Sequence, residues 1–340
     1  MIQTEKGEFP TVSDVIEKAS EKLYNIENFV NGKPGFFFLT NVISKTKRNG
    51  GKYFSCIIKD KDSSYSANIW EWPEKEIPAS GKIAFSDYSY NNYGISLKIR
   101  KLLSLVELRS HIKNVEKAFI PVSDNIEQLK TSLEELIGSV KDPYLKALLN
   151  ETISPESGSM EGFFSAPAAT RNHHVRIGGL LEHSLRVAQL SLKTANLLNC
   201  VFNRDLLIAG ALLHDIGKIF TYEYENYTFE FTNEGMLEEH IVLGIKMLTK
   251  AIEKVGDFPA KLEQDLFHIV ASHHGLKEWG SPVMPKTIEA IIIHNCDRLE
   301  AQVDAFMGLV GSVAEGSNWS DYSGMLGTKI FIPEIEGKSD

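Results

Sequence analysis

The chain has 340 residues, 43% hydrophobic and 24% charged, an ordinary globular composition with more length than one domain usually needs, so two domains are the default expectation. No apolar run approaches the ~18–20 residues of a membrane helix, and the first nine residues lack the basic-then-apolar order of an export signal, which points away from transmembrane and secreted classes and predicts a cytoplasmic protein. A formal net charge of −9 argues against bulk attraction to duplex nucleic acid, and three scattered cysteines, Cys56, Cys200 and Cys296, with no CxxC spacing, argue against a disulfide framework or a cysteine zinc site.

The mean charge hides an asymmetry. Residues 1–116 hold 17 Lys and Arg against 14 Asp and Glu, a net +3, whereas the remainder holds 19 against 31, a net −12. Residues 1–30 are expected as an N-terminal extension. Twelve of the 33 aromatic residues then fall between Phe36 and Tyr93, in short β-branched and aromatic runs broken by turn signals. Strands are predicted near Gly35–Lys47, Lys52–Lys59, Ser63–Trp70, Gly81–Tyr88 and Gly94–Leu103, separated by Asn49-Gly50-Gly51, Asp60–Asp62, Pro73–Ser80 and Asn91-Asn92. Five such strands predict a small, closed or partly closed β-barrel over residues 31–116.

From Ile126 the apolar spacing changes to three and four, as in Leu129, Leu133, Leu136, Ile137 and Val140, and a helical linker is expected over 117–162. Residues 163–312 are expected as an all-α domain. Its helices are predicted near Gly179–Leu198, Asp205–Leu213, Glu234–Lys254, Ala260–Ser272 and Lys286–Leu309, with a β-excursion over Tyr222–Phe231. Residues 313–340 form a C-terminal extension in which Lys329–Ile335 is expected as a short strand or extended arm.

Nine of the ten histidines lie between His173 and His294. His183 sits in LLEHSLRVA, His214 and Asp215 in ALLHDIGK, His240 in LEEHIVLG, His273 and His274 in VASHHG, and Asp297 in IIHNCDRLEA. Each interrupts an apolar helical face, where an unpaired imidazole or carboxylate costs several kcal/mol. One such histidine is most often a satisfied core residue. Repeated over five segments of one domain, the pattern implies a shared partner, and a divalent cation satisfies imidazole nitrogens and carboxylate oxygens together. The adjacent His214-Asp215 pair, before a glycine at a helix end, can turn both side chains to one centre. No GxSxG, Walker loop, HExxH or GxGxxG offers another chemistry.

The order His183, His214-Asp215, Asp297 resembles the metal-dependent phosphohydrolase superfamily named for its His-Asp pair, the HD domain. The strings RNHHVRIGGLLEHSLRVA, LLHDIGKI and SHHGLKEWGSPVMPKTIEAIIIHNCDRLEAQVDAF resemble more specifically the 3′–5′ exoribonuclease YhaM family. The similarity extends over 163–308 and, more weakly, 30–110. It implies an OB-fold-like N-terminal barrel followed by an HD-type helical domain. It also implies metal ligation by His183, His214, Asp215 and Asp297, with Asp215 bridging two ions and His240, His273 and His274 completing the ligands of the second ion. Lys218 would reach a phosphate oxygen in that arrangement. His173 and His174, before Gly178-Gly179, are candidate phosphate contacts or proton donors. The resemblance implies manganese as the favoured ion, while the donors themselves equally admit iron, cobalt, nickel and zinc. Two cations ~3.5–4 Å apart would activate water for phosphodiester hydrolysis.

An OB-fold binds single strands by stacking bases on aromatic rings beside basic residues. Tyr53, Trp70 and Tyr90, with Phe36, Phe38, Tyr65, Tyr88 and Tyr93, supply rings; Lys45, Lys47, Arg48 and Lys52, with Lys98 and Arg100, supply charge. The expected substrate is single-stranded RNA, with single-stranded DNA a further candidate, no membrane partner, and a homo-oligomer left open. A phosphohydrolase of small nucleotides, with the barrel as a regulatory module, remains the alternative.

Overall fold

The computed structural model describes residues 34–59, 64–91, 94–105, 107, 119–156, 159–170, 173–224, 228–310 and 318–332, and the backbone of 2–4 and 7–9. The chain divides into two compact units, residues 1–122 with 224–230, and residues 123–223 with 231–340.

In the first unit, strands β1 (Ile2–Thr4) and β2 (Gly7–Phe9) form a short antiparallel pair within the expected extension. Five further strands, β3 (Gly35–Thr46), β4 (Lys52–Lys59), β5 (Ser64–Glu71), β6 (Ile83–Asn91) and β7 (Gly94–Leu103), close a barrel in the order β3-β4-β5-β7-β6. β6 returns to pair with β3, and β5 with β7 is the parallel pair. This is the OB-fold-like arrangement, and closure leaves no exposed sheet edge. Alternation sends Phe54, Cys56 and Ile58 of β4 and Ile95, Leu97 and Ile99 of β7 inward, against Phe37, Leu39, Ile69 and Ala84. A register shift between Thr40 and Ile43, with Asn41 at φ 50°, bends the long β3 so that it serves both neighbours.

Phe36 and Phe38, expected among the stacking rings, are core residues instead. Phe36 lies 4.9 Å from Phe85, and Lys59 Nζ sits 5.4 Å from the Phe38 ring and 5.0 Å from that of Phe229. Within this unit the backbone N–H of Asn41 donates to Glu230 Oε1 at 2.9 Å, which ties the 228–230 segment to β3.

The second unit is helical: α1 (Ile126–Gly138), α2 (Pro143–Ile153), α3 (Gly179–Leu197), α4 (Arg204–Leu213), α5 (Lys218–Thr221), α6 (Asn233–Val255), α7 (Ala260–Ser272) and α8 (Ile288–Val310). Helices α1 and α2, expected as a linker, belong to this unit, which begins at Ser123. Side-chain capping sets several starts: Asp142 accepts from the N–H groups of Tyr144 and Leu145, Asn203 from Leu206, and Thr232 from Gly235. Every residue of α4 from Leu206 to Leu213 is buried, as befits a helix enclosed by α3, α7 and α8. The short α5 follows the His-Asp turn and packs on α6; a Cβ at Gly217 would fall 1.9 Å from the carbonyl oxygen of His240, so only glycine permits the approach. Two short strands, Tyr222–Glu223 and Glu230–Phe231, pair within the expected excursion. Residues 318–332 are tied by bridges Trp319↔Phe331 and Ser323↔Thr328 rather than by a strand, and 333–335 lie outside the described residues. No helix among the described residues is long and apolar enough to cross a membrane.

Candidate metal centre

Five segments of the helical unit deliver the histidines and aspartates to one place. His183 lies in the second turn of α3, His214 caps the C-terminus of α4, and Asp215 follows in the turn before α5. His273 caps α7 with His274 beside it, and Asp297 projects from α8. His240 opens the second segment of α6, because Glu239, at φ 62° and ψ 158°, breaks the helix directly before it. That conformation is strained for a non-glycine residue, and such strain concentrates at functional sites.

The two oxygens of Asp215 face different partners. Oδ2 lies 3.5 Å from His183 Nε2 and 3.3 Å from His214 Nε2, and accepts from Lys218 Nζ at 2.5 Å. Oδ1 lies 3.4 Å from His273 Nε2 and 3.6 Å from His240 Nε2. Asp297 Oδ1 joins the first set, 3.1 Å from His183 Nε2 and 3.8 Å from His214 Nε2, while His274 Nε2 joins the second, 3.2 Å from His240 Nε2. Three metal-competent groups result among the described residues: His183, His214 and Asp297; Asp215, His240, His273 and His274; and His174, His183 and Glu300, the last already closed by hydrogen bonds from both imidazoles to the carboxylate, so the first two are the ones left for metal.

The outer nitrogens show what the inner ones are for. Nδ1 of His183 bonds Glu300 Oε2 at 2.7 Å, that of His214 the Ala211 carbonyl at 2.7 Å, that of His273 the Val270 carbonyl at 2.8 Å, and that of His274 the Trp279 carbonyl at 2.7 Å. Carbonyl and carboxylate oxygens only accept, so each Nδ1 carries the proton and donates, and each Nε2 keeps its lone pair. Nε2 of His183, His214 and His273, and Oδ1 of Asp215, are buried without a hydrogen-bond partner. Buried polar atoms rarely go unsatisfied, and divalent cations held by these groups would satisfy them, so the donor set fits the metal implied by the fold.

The charges agree. Burial opposes ionisation of Asp215, but Lys218 and His214 outweigh it and hold the carboxyl well below its usual range. Asp297 is likewise lowered against its burial, chiefly by His183 and His214. Burial opposes the His183 cation, yet Asp215, Asp297 and Glu300 outweigh it and raise the imidazole; with the Nδ1 proton donated to Glu300, the positive charge these carboxylates favour falls at Nε2, where a metal ion would take the place of a proton. Burial pushes His274 down to about 3, which leaves it a neutral donor ligand.

His173 and His174 part company. His173 lines the cavity beside the centre, its ring 5.4 Å from that of His183 and its Nδ1 buried without a partner; burial pushes its imidazole down to about 3. His174 does not reach the cavity. Its Nδ1 accepts from Arg176 Nη2 at 2.7 Å, which forces the proton onto Nε2, and Nε2 donates to Glu300 Oε1 at 2.8 Å. Arg176 also binds Glu182 at 2.9 Å and Asp304 at 2.7 Å. Glu300 therefore joins the His174 and Arg176 cluster to His183. Glu300 and Asp304 are not among the residues expected from sequence, although they follow Asp297 at spacings of three and four, one polar face on a largely apolar helix.

The cavity encloses about 610 Å³, with His173, Asp215, Lys218, His273, His274 and Asp297 on its wall. On the barrel, Tyr53 and Trp70 stack at 4.7 Å and 14° from parallel, with Lys47 Nζ 5.3 Å from the Trp70 ring. Lys45 stands opposite Tyr53 in the β3–β4 register, Lys52 closes that pairing, and Arg48 lies exposed in the turn between them. Lys98 and Arg100 are instead paired with Glu71 and Asp87. The side chain of Tyr90, and all of Tyr93, lie outside the described residues.

Comparison with known proteins places this geometry in a lineage. The HD domain family matches residues 180–302. The 3′-5′ exoribonuclease YhaM of Geobacillus sp. (strain WCH70) is 31% identical over 278 residues, covering 79% of this chain and 82% of that protein. The 3′-5′ exoribonuclease YhaM of Listeria monocytogenes serovar 1/2a (strain ATCC BAA-679 / EGD-e) is 28% identical over 305 residues, covering 88% of this chain and 95% of its own. With an N-terminal closed barrel, an HD helical domain and a donor set fit for divalent metal, the chain is a phosphodiester hydrolase and belongs to the 3′-5′ exoribonuclease YhaM family.

Proposed function

We propose that the chain is a cytoplasmic, metal-dependent exonuclease that removes nucleotides from the 3′ end of single-stranded RNA, with single-stranded DNA a further substrate, using two divalent ions of which manganese is favoured. The observation that carries this reading is the division of labour at Asp215, whose two oxygens face two separate sets of partnerless buried nitrogens. Held by His183, His214 and Asp297 on one side and Asp215, His240, His273 and His274 on the other, a pair of cations would supply a water nucleophile of lowered pKa and neutralise charge on the leaving oxygen.

The chain's own residues prepare that chemistry. Asp215 and Asp297 bring negative charge that ligates, and the fixed tautomers of His183, His214, His273 and His274 present lone pairs without rearrangement. Lys218, bonded to Asp215 and lining the cavity, would reach a phosphate oxygen with its ammonium. His173 offers a hydrogen bond to the same phosphate from its partnerless Nδ1. On the barrel, the Lys47, Trp70 and Tyr53 stack, with Lys45, Arg48 and Lys52 around it, suits bases and phosphates of an unpaired strand.

The test is release of mononucleotides from a 3′-labelled single-stranded RNA, run beside hydrolysis of free nucleotides. Strand degradation that stops on chelation and returns with added manganese is expected. Turnover of free nucleotides alone would make the small-nucleotide phosphohydrolase the correct function.

A further inference from the structure

Helix α8 gives one face to the cavity, where His294, Asp297, Arg298, Ala301 and Gln302 recur at helical spacing. Asp297 belongs to the metal centre. The remaining residues of that face take no part in ligation or water activation, and Arg298 is the most distinctive of them. Its guanidinium lies 4.6 Å from the centroid of the Trp279 ring, and that residue is 44% exposed on the cavity wall. Arg176 and Arg186 are paired with Glu182, Glu300 and Asp304, whereas Arg298 has no carboxylate within ion-pair distance among the described residues. In a region of net charge −12, a cation left uncommitted beside a phosphate-processing centre is placed for an anion.

A further part of the lining comes from the C-terminal segment. Residues 318–332 fold back on themselves through the Trp319↔Phe331 and Ser323↔Thr328 bridges, and the tip, Gly324 to Gly327, lines the cavity. A Cβ at Gly324 or Gly327 would meet nothing within 4 Å, so this wall borders open space. At about 610 Å³ the cavity falls in the size class that buries one small molecule, the scale of a single nucleotide.

We infer that Trp279 and Arg298, which line one cavity with the 324–327 tip, form the subsite for the terminal nucleotide of the strand. The inference rests on the exonuclease function proposed above and names the group that function must hold. The base stacks on the indole and guanidinium pair, as bases stack on aromatic side chains and arginine planes in single-strand sites, and the guanidinium edge donates to the adjacent phosphate. The backbone carbonyl of Trp279 holds the Nδ1 proton of His274, so the base platform and a metal-group histidine share one residue. A substitution of the Trp279 side chain leaves that carbonyl in place.

The experiment compares two single-stranded RNA oligonucleotides, one intact and one lacking only the 3′-terminal base, by KM and kcat in wild type, Trp279→Ala, Trp279→Phe and Arg298→Ala, with bound metal counted in each. Removing the base should raise the wild-type KM about tenfold, within the range of one stacked base. Trp279→Ala should raise KM for the intact strand and discriminate less than about twofold, and Trp279→Phe, which keeps a ring, should recover discrimination. Arg298→Ala should lower the salt slope of KM by ~0.7, the value of one phosphate on a single strand. Trp279→Ala with wild-type metal content that still discriminates about tenfold overturns the subsite. A wild-type enzyme that hydrolyses both strands with equal KM also overturns it, and one that hydrolyses neither overturns the exonuclease function itself.

Discussion

Lys47, Trp70 and Tyr53 of the barrel stack at a wetted surface, with Trp70 40% exposed, whereas His183, His214, His273 and Asp215 of the helical unit lie at 0–1% exposure. Both clusters combine rings with charge, yet their physics differs. In the barrel each interaction is screened by solvent and contributes separately, so changes should be graded. In the metal centre the inner donors depend on outer partners that fix their protons, and burial leaves no bulk water to replace a missing one. Removal of one member should therefore disable the whole set.

The sharpest way to break that contrast is Asp215→Ala. Hydrolysis should fall at least about 100-fold, about 2.7 kcal/mol of barrier, while single-strand affinity measured by fluorescence anisotropy stays within about twofold. Retention of more than a tenth of the wild-type rate would show that Asp215 does not join the two groups. Next in size is Glu300→Gln, which puts an amide where His183 and His174 both donate. Replacing the carboxylate that orients a ligand histidine costs ~10–100-fold in metal affinity, readable by competition with a chelating dye. An unchanged affinity would separate the Arg176 and His174 cluster from the metal centre.

Why some of this was legible in sequence follows from the same contrast. The change of apolar spacing from two to three and four marks where barrel strands give way to helices, and a polar residue on an apolar helical face stands out wherever it occurs; His183, His214, Asp215 and Asp297 suggest a shared partner only when taken together, since any one of them alone reads as an ordinary core residue. Adjacent His173 and His174 were not separable, because a left-handed turn at His174, φ 45°, sends the two rings to different surroundings. The Trp279 and Arg298 pair joins a 3₁₀ turn to α8 across a long stretch of sequence, and no local period links them. Alternation assigns Phe36 and Phe38 of β3 to the face opposite Phe37, and that Lys59 lies over the Phe38 ring and over Phe229 of a distant segment at once is beyond any local period.

Smaller effects sharpen the barrel side. Trp70→Ala should weaken single-strand binding by ~1–3 kcal/mol, the contribution of one stacked base, with kcat on a bound strand little changed. Lys47→Ala with Arg48→Ala should flatten the salt dependence of binding, by ~0.7 in slope for each phosphate no longer neutralised. Arg100→Ala should be the mildest, within about twofold in affinity, since its guanidinium is already committed to Asp87 at 2.7 Å and exposed pairs contribute little. Equal losses for Lys47→Ala and Arg100→Ala would place the strand on a different face of the barrel.

The most direct measurement is the number of divalent ions bound per chain, by mass spectrometry of metal-reconstituted protein, in wild type and in Asp215→Ala. Two ions per wild-type chain, and fewer than one in the variant, are expected if the two oxygens of Asp215 each serve one of the two groups. A single ion in wild type, or two ions retained in Asp215→Ala, would contradict it.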